Sequence, residues 1–313
     1  MENKKIEMSK ETTVVIPAAK ETTVRQRKGT KKGHSEPKSK KNYITVNLYP
    51  DSAFTIPGRK VEIVAKQILG TRKNQQDSFS ATEGSFSSIM EKKRTWSIVC
   101  DGMGGLASGE VASQTAVEVV KQVLASALPT DSIPDVLMQA IRIANAEVNK
   151  ISEAEDATAG TTLVCVVIDG DEMHYASVGD SRIYLCRGAE IVQLNRDHNY
   201  MLELTEMVQK GEITMEMALS DPQKEALISF IGIEKLELVD ISTTPIKLQN
   251  NDMILLCSDG LTKVFNDNEI FAFLRSTGGN VENAVDTLLM EVQSGRVNSL
   301  DNTTIALMKY NEN

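Results

Sequence analysis

Between residues 161 and 194, four short runs rich in β-branched and apolar residues follow one another almost without a break. They cover 161–168, 173–178, 183–187 and 191–194, joined by turn sequences such as Asp169-Gly170-Asp171. A parallel pair needs a crossover of a dozen or more residues, so strands this close in the chain pair antiparallel. The centre of the molecule therefore cannot follow a Rossmann crossover pattern.

Helical periods flank this centre. Ala112, Ala116, Val119, Val120, Val123 and Ala127 recur at helical spacing, with Pro129 beyond them. Leu137, Ile141, Ala144 and Val148 share one face of a second helix over 134–151. Further strands are expected at 61–69, 96–100, 252–258 and 303–309, and further helices at 267–276 and 281–294, with Gly278 and Gly295 as stops. Residues 198–232 change character: two short helical patterns break at Gly211, and Thr214 is placed to cap the second. Sheets in the middle with helix pairs outside predict an α+β fold, a four-layer α-β-β-α sandwich of two antiparallel sheets.

Composition narrows the chemistry. Of 313 residues, 41% are hydrophobic but only 4% aromatic, so the core is built from Val, Ile, Leu, Ala and Met. Cys100, Cys165, Cys186 and Cys257 each sit inside an apolar run and read as small core hydrophobes of a reducing compartment. Three histidines (His34, His174 and His198) are too few for a histidine-rich metal site. Residues 1–42 hold twelve Lys or Arg against five Glu, whereas the remainder holds 22 basic against 38 acidic side chains. This divides the chain into a disordered basic tail (1–42), a lead-in of uncertain order (43–60) and an acidic body (61–310). The body's charge suits a cation site and argues against nucleic acid as its substrate. Met1 to Lys10 lacks an apolar stretch, and no run approaches the ~20 residues of a membrane span, so a soluble, cytoplasmic protein is expected.

Within the tail, Glu11-Thr12-Thr13-Val14 recurs as Glu21-Thr22-Thr23-Val24. One reading is chance recurrence in a low-complexity segment. The other is paired phosphoacceptor threonines for a Ser/Thr kinase, or docking sites for a phosphothreonine reader.

Four acidic signatures stand against apolar runs of the body. Asp101-Gly102-Met103-Gly104-Gly105, Gly179-Asp180-Ser181-Arg182 and Ser258-Asp259-Gly260 each follow or adjoin such a run, and Asp301-Asn302 precedes one. Carboxylates at the mouths of buried strands face other strand ends, so aspartates remote in sequence converge. Clustered and buried, they repel one another unless a cation intervenes, and oxygen ligands select Mg²⁺ or Mn²⁺ over zinc. Taken singly, a strand-end Asp-Gly is commonly only a turn. Recurrence in four places carries the reading of a metallohydrolase. In the first signature the glycines let the backbone turn sharply and offer the Gly102 carbonyl beside the Asp101 carboxylate.

In order, Arg72…Gln76-Asp77, Asp101-Gly-Met-Gly-Gly, Gly160-Thr161-Thr162, Gly179-Asp-Ser-Arg, Asp197-His198, Ser258-Asp-Gly-Leu and Asp301-Asn resemble the metal-dependent serine/threonine protein phosphatases of the 2C type, most of all their bacterial branch. The resemblance spans 61–310 and makes that body a catalytic domain, with 198–232 as a helical flap insertion beside the cleft. It implies a centre of two Mn²⁺ or Mg²⁺ ions at one end of the sandwich. It also implies hydrolysis of phosphoserine and phosphothreonine in proteins by metal-activated water, opposing a Ser/Thr kinase. Matched motif by motif, Asp101 would bridge the two ions and the Gly102 carbonyl would bind one of them. Asp259 and Asp301 would complete the other ion's shell, and Asp77 would hold metal-bound water. Asp180 would bind, with Asp259, a looser third ion. Arg72 would grip the substrate phosphate, a task suited to a guanidinium fork.

Three positions depart from the family pattern. Met103 stands where animal members carry a histidine acid, though bacterial members share the methionine. Gln76 replaces a common glutamate. Lys263, four residues after Asp259, replaces a common aspartate and sets a positive charge beside the acidic centre. A tyrosine-phosphatase reading of Cys100 fails because no phosphate-cradling loop follows it. The other alternative is a catalytically weak pseudophosphatase, a phosphoprotein-binding regulatory module, which loss of Asp101 or Asp259 would have favoured.

Overall fold

A computed structural model describes residues 59–84, 94–104, 108–155, 159–294 and 299–312. The expectations for the tail (1–42), most of the lead-in (43–60), the two threonine repeats and the Gly295 stop lie outside the described residues. Strands β1 (Arg59–Ile68), β2 (Asp77–Gly84) and β3 (Arg94–Gly104) come first, then helices α1 (Ser108–Ser126) and α2 (Ile133–Glu155). Strands β4 (Ala159–Thr161), β5 (Leu163–Asp169), β6 (Glu172–Val178), β7 (Arg182–Arg187) and β8 (Glu190–Gln193) follow in quick succession. Two short helices, α3 (Tyr200–Gln209) and α4 (Met215–Ser220), precede β9 (Asp240–Ile241), β10 (Ile246–Lys247) and β11 (Met253–Cys257). The chain closes with α5 (Asp259–Thr262), α6 (Asp267–Ser276), α7 (Val281–Val292) and β12 (Thr303–Glu312).

The strands form two antiparallel sheets. One has the order β1-β12-β11-β7-β8; the other runs β10-β6-β5-β3-β2, with β4 beside β3 and β9 beside β6. Strand alternation assigns each face its partner. In β11, Ile254 and Leu256 join Val99, Val164 and Met308 in a core between the sheets, whereas Leu255 and Cys257 turn to Ile270, Leu274, Val285 and Leu288 of α6 and α7. On the far side, Ile98, Cys165 and Val167 pack against Ala112, Ala116 and Val120 of α1 and Leu137 and Ile141 of α2. Fully burying each Val, Leu or Ile of these layers contributes about 1.5–3 kcal/mol, the main force holding four layers together. The result is the expected α-β-β-α sandwich.

Local signals hold where they are strong. Helix α6 occupies the expected residues behind a capping box, in which Asn266 Oδ1 accepts from the Glu269 amide and Glu269 accepts from the Asn266 amide. Thr214 caps α4 by accepting from the Met217 amide at 3.2 Å. Two local readings are corrected. The run expected as one strand over 161–168 divides into β4 and β5 at Thr162, whose hydroxyl accepts the Asp101 amide at 2.9 Å in place of a backbone rung. Strand β2 was not anticipated: Ser78 and Ser80 are buried on it, and a sequence of alternating serines does not advertise burial.

Candidate active site

Every signature aspartate arrives at one end of the sandwich, because antiparallel pairing brings strand ends and strand starts together. Asp77 opens β2 and pairs in register with Asp101, which lies inside β3 near its end. Asp180 follows β6, Asp259 follows β11 across Ser258, and Asp301 lies two residues before β12. The turn that follows β1 leads into Arg72 beside them. The sheets are stitched together here: Asp77 Oδ2 of one sheet accepts from Ser258 Oγ at 2.8 Å and Thr304 Oγ1 at 2.7 Å of the other. Asn302 adds a second stitch, accepting the Gln76 amide at 2.8 Å and donating to the Leu69 carbonyl at 2.9 Å.

Two glycines are required by close approach. A side chain at Gly102 would strike the backbone carbonyls of Gly109 and Gln76. Gly179 has φ +100°, and a Cβ there would come within 2.7 Å of Thr162 Cγ2. The His198 amide donates to the Gly179 carbonyl at 2.9 Å, and the Gly179 amide donates to His198 Nδ1 at 3.2 Å, so both polar groups ahead of Asp180 are fixed.

These constraints shape a cavity of about 310 Å³, lined by Arg72, Asp101, Gly102, Asp180, Asp259 and Asp301 together with Gln76, Met103, Thr162, Glu225, Leu227 and Asn302. Six of the seven expected site residues therefore share one wall. Asp77, the seventh, lies beneath the cavity and does not line it. Glu225 and Leu227 carry no motif; they come from the 198–232 insertion. That insertion docks through reciprocal backbone bonds between Thr161 and Ile231 of 3.0 and 2.8 Å, one residue from Thr162. Only the expectation of a flap beside the cleft points to them.

Charge in the cavity is compensated only in part. Burial, then the neighbouring Asp77, Asp259, Asp180 and Asp301, hold the Asp101 carboxyl well above the ordinary range. Burial, followed for Asp180 by Asp259, raises both Asp77 and Asp180 to about 7. Asp259 is also raised by burial, although Lys263 opposes the shift. Asp301 alone ends below its usual range: burial would raise it, but the bond from Arg72 and the charge of Lys263 outweigh that. Arg72 Nη2 donates to Asp301 Oδ2 at 2.7 Å, and Lys263 Nζ lies 2.5 Å from Asp259 Oδ2 and 3.1 Å from Asp301 Oδ2.

Among the described residues, no three or more His, Cys, Asp or Glu side chains are drawn together tightly enough to form a ready cage for an ion. The donor set nevertheless suits a hard divalent cation. It is all oxygen, it carries excess negative charge, and both Asp259 Oδ1 and Asp77 Oδ1 are buried without a hydrogen-bond partner. His174 and His198 are both buried away from this wall, His198 against Gly179 and Asp240.

Known proteins bear directly on this arrangement. The family model described as Protein phosphatase 2C matches residues 70–290. The serine/threonine phosphatase stp of Listeria monocytogenes is 35% identical over 217 residues, covering 68% of this chain and 83% of that protein. The structure of the S. agalactiae serine/threonine phosphatase superposes with a TM-score of 0.69 at 29% identity, over 79% of this chain and 98% of that one. The catalytic domain of the serine/threonine protein phosphatase PstP in complex with two manganese ions superposes with a TM-score of 0.61 at 26% identity, over 81% and 99%. The fold is that of serine/threonine protein phosphatases. The chain belongs to the protein phosphatase 2C family.

Proposed function

We propose that the chain removes phosphate from phosphoserine and phosphothreonine in proteins at the Asp101 cavity. One observation carries the proposal: carboxylates from four separate strand ends, with an arginine beside them, wall a single open cavity that no nearby group neutralises in full. Asp101, the Gly102 carbonyl, Asp259 and Asp301 would hold two Mn²⁺ or Mg²⁺ ions, with Asp180 and Asp259 offering a place for a third. When bound, the ions supply Lewis acidity, which makes water nucleophilic near neutral pH and offsets the charge of the phosphate. Arg72 orients the phosphoryl group from the rim, its guanidinium presenting planar donors to phosphate oxygens. Asp77, anchored by Ser258 and Thr304, supports Asp101 from below and offers Oδ1 as an acceptor for ordered water. Met103 cannot donate a proton, so it does not serve as the acid for the leaving oxygen.

The catalytic domain is assigned to 61–310, with Glu225 and Leu227 of the 198–232 flap facing the bound phosphoprotein. An opposing Ser/Thr kinase and a cytoplasmic location belong to the same proposal, the latter supported by four buried, unpaired cysteines. Among the described residues, no helix is long and apolar enough to cross a membrane. The pseudophosphatase alternative gains no support, since the relatives compared are named as serine/threonine phosphatases.

The test is hydrolysis of p-nitrophenyl phosphate and a phosphothreonine peptide by metal-stripped protein, with Mn²⁺ or Mg²⁺ returned. Turnover should appear with metal and vanish with chelator. Folded protein that stays inert at millimolar Mn²⁺ would overturn the assignment.

A further inference from the structure

Among the described residues, Lys263 is the one cation seated on two of the cavity's carboxylates at once. It follows α5 directly, and its amide donates to the Asp259 carbonyl at 2.9 Å, so its stem starts at a fixed point one turn from Asp259. Its ammonium lies 2.5 Å from Asp259 Oδ2 and 3.1 Å from Asp301 Oδ2, which come from two segments of the chain joined only by the fold. Half of the side chain remains exposed, so the ammonium has a path to solvent. A divalent cation binding the same two carboxylates takes oxygens at about 2.0–2.6 Å and needs the space the ammonium fills. Asp301 Oδ2 is engaged further by Arg72, whereas Asp259 Oδ1 stays buried and unpartnered. The ammonium therefore neutralises this pair only in part and leaves Asp101 and Asp180 without a comparable partner.

We propose that Lys263 is a tethered counter-cation for the Asp259–Asp301 ion position, which a divalent cation must displace in order to bind. The inference rests on the metal-binding reading of this cavity. A tethered competitor acts at a high effective concentration, so it weakens most the step that draws on both Asp259 and Asp301 and leaves the Asp101–Gly102 position alone. Lys263 thereby sets the divalent-cation concentration at which the second position fills. The ion position served by Asp101 and the Gly102 carbonyl is not in competition with it.

The experiment is a calorimetric titration of Mn²⁺ into metal-stripped full-length protein, read without substrate. It compares the parent with Lys263→Met, which keeps the stem but not the charge, and Lys263→Arg, which keeps the charge. Lys263→Met should bind the same number of ions, with one step tightened about tenfold or more, equivalent to about 1.4 kcal/mol. Lys263→Arg should retain the weak step. Melting temperatures provide a second readout. Without metal, Lys263→Met should melt below the parent, because Asp259 and Asp301 lose their internal cation; saturating Mn²⁺ should close that gap. Isotherms that coincide for parent and Lys263→Met would overturn the inference while leaving the metal site standing. Tightening of equal size in Lys263→Arg would also overturn it, since loss of charge could not be the cause. Failure of the parent and both variants to bind Mn²⁺ would overturn the metal reading along with it.

Discussion

Two groups of acids in this protein solve the same physical problem in opposite ways. Asp252 is 1% exposed, and Arg187 donates to both its oxygens, Nε to Oδ1 at 2.9 Å and Nη2 to Oδ2 at 2.6 Å. Arg182 clasps Asp197 in the same manner at 2.9 and 2.7 Å, and Arg196 clasps Asp240. For Asp240, burial favours the neutral acid, but the nearby His198 and the bonds from Arg196 outweigh it and hold the carboxyl well below the usual range. At the cavity, Asp77, Asp101 and Asp180 have no such clasp and are displaced upward. Both groups were taken from water at a cost. The first was compensated within the fold, whereas the second has no arginine clasp within it. A carboxylate with a bidentate arginine is architecture; a buried carboxylate without one marks where the chain meets its ligands.

The sharpest break of this contrast is Asp101→Asn. Removing the central charge should lower turnover on the order of 10³-fold or more while the metal-free protein melts at or above the parent's temperature. A variant with parent-like turnover would show that Asp101 is not the shared ligand. The opposite pattern is expected of Asp252→Ala, which strands Arg187 and the Gln249 amide. It should cost about 2–4 kcal/mol in urea unfolding, with specific activity of the folded fraction unchanged. Full stability in that variant would mean that the clasp contributes nothing to the architecture.

Proton linkage distinguishes the two groups again. Asp77 and Asp180 titrate near pH 7 in the fold and near 4 in the unfolded chain. Between these values the metal-free native state holds protons that the unfolded state has released, so stability falls as pH rises from about 4 to about 7. Chelator-treated protein should therefore melt lower at pH 7.5 than at pH 5, by on the order of 5 °C. Mn²⁺ should reverse the trend, and Asp180→Asn should flatten it. A melting temperature that climbs over this window without metal would refute the picture of partly compensated charge.

Much of this was legible in the chain because short-range chemistry encodes it. The apolar run Met253–Cys257, the 3–4 spacing of Leu137, Ile141, Ala144 and Val148, and the Thr214 cap are all local, and local patterns survive folding. The convergence of Asp101, Asp180, Asp259 and Asp301 was legible for a different reason: each stands at the end of an apolar run, and antiparallel sheets gather such ends. Strand β2 was hidden because its buried Ser78 is satisfied by Ser113 Oγ at 2.9 Å, a partner 35 residues away. The break at Thr162 was hidden because its hydroxyl, not its carbonyl, accepts the Asp101 amide. The two-residue strands β9 and β10 are too short to carry a period. The arginine clasps join residues 15 to 65 apart, and neither partner's sequence context names the other. Lys263 was conspicuous as a charge near Asp259, one helical turn away, but its reach to Asp301 is a property of the assembled end of the sandwich.

The smallest effect is expected where an ion pair lies at the surface. Lys121 Nζ lies 3.1 Å from Glu118 Oε2 on α1, a distance comparable to the contacts of the clasps, but the two side chains are 36% and 50% exposed. Water screens the pair, and ordering two long side chains offsets most of the attraction. Glu118 also accepts from Gln122 Nε2 at 3.0 Å, so removing the lysine strands no buried charge. Lys121→Ala should therefore shift unfolding by about 0.5 kcal/mol or less, with no effect on turnover. A cost near that of Asp252→Ala would mean that distance alone, not desolvation, ranks the ion pairs of this fold. The contrast between clasped and unclasped acids would then lose its physical basis.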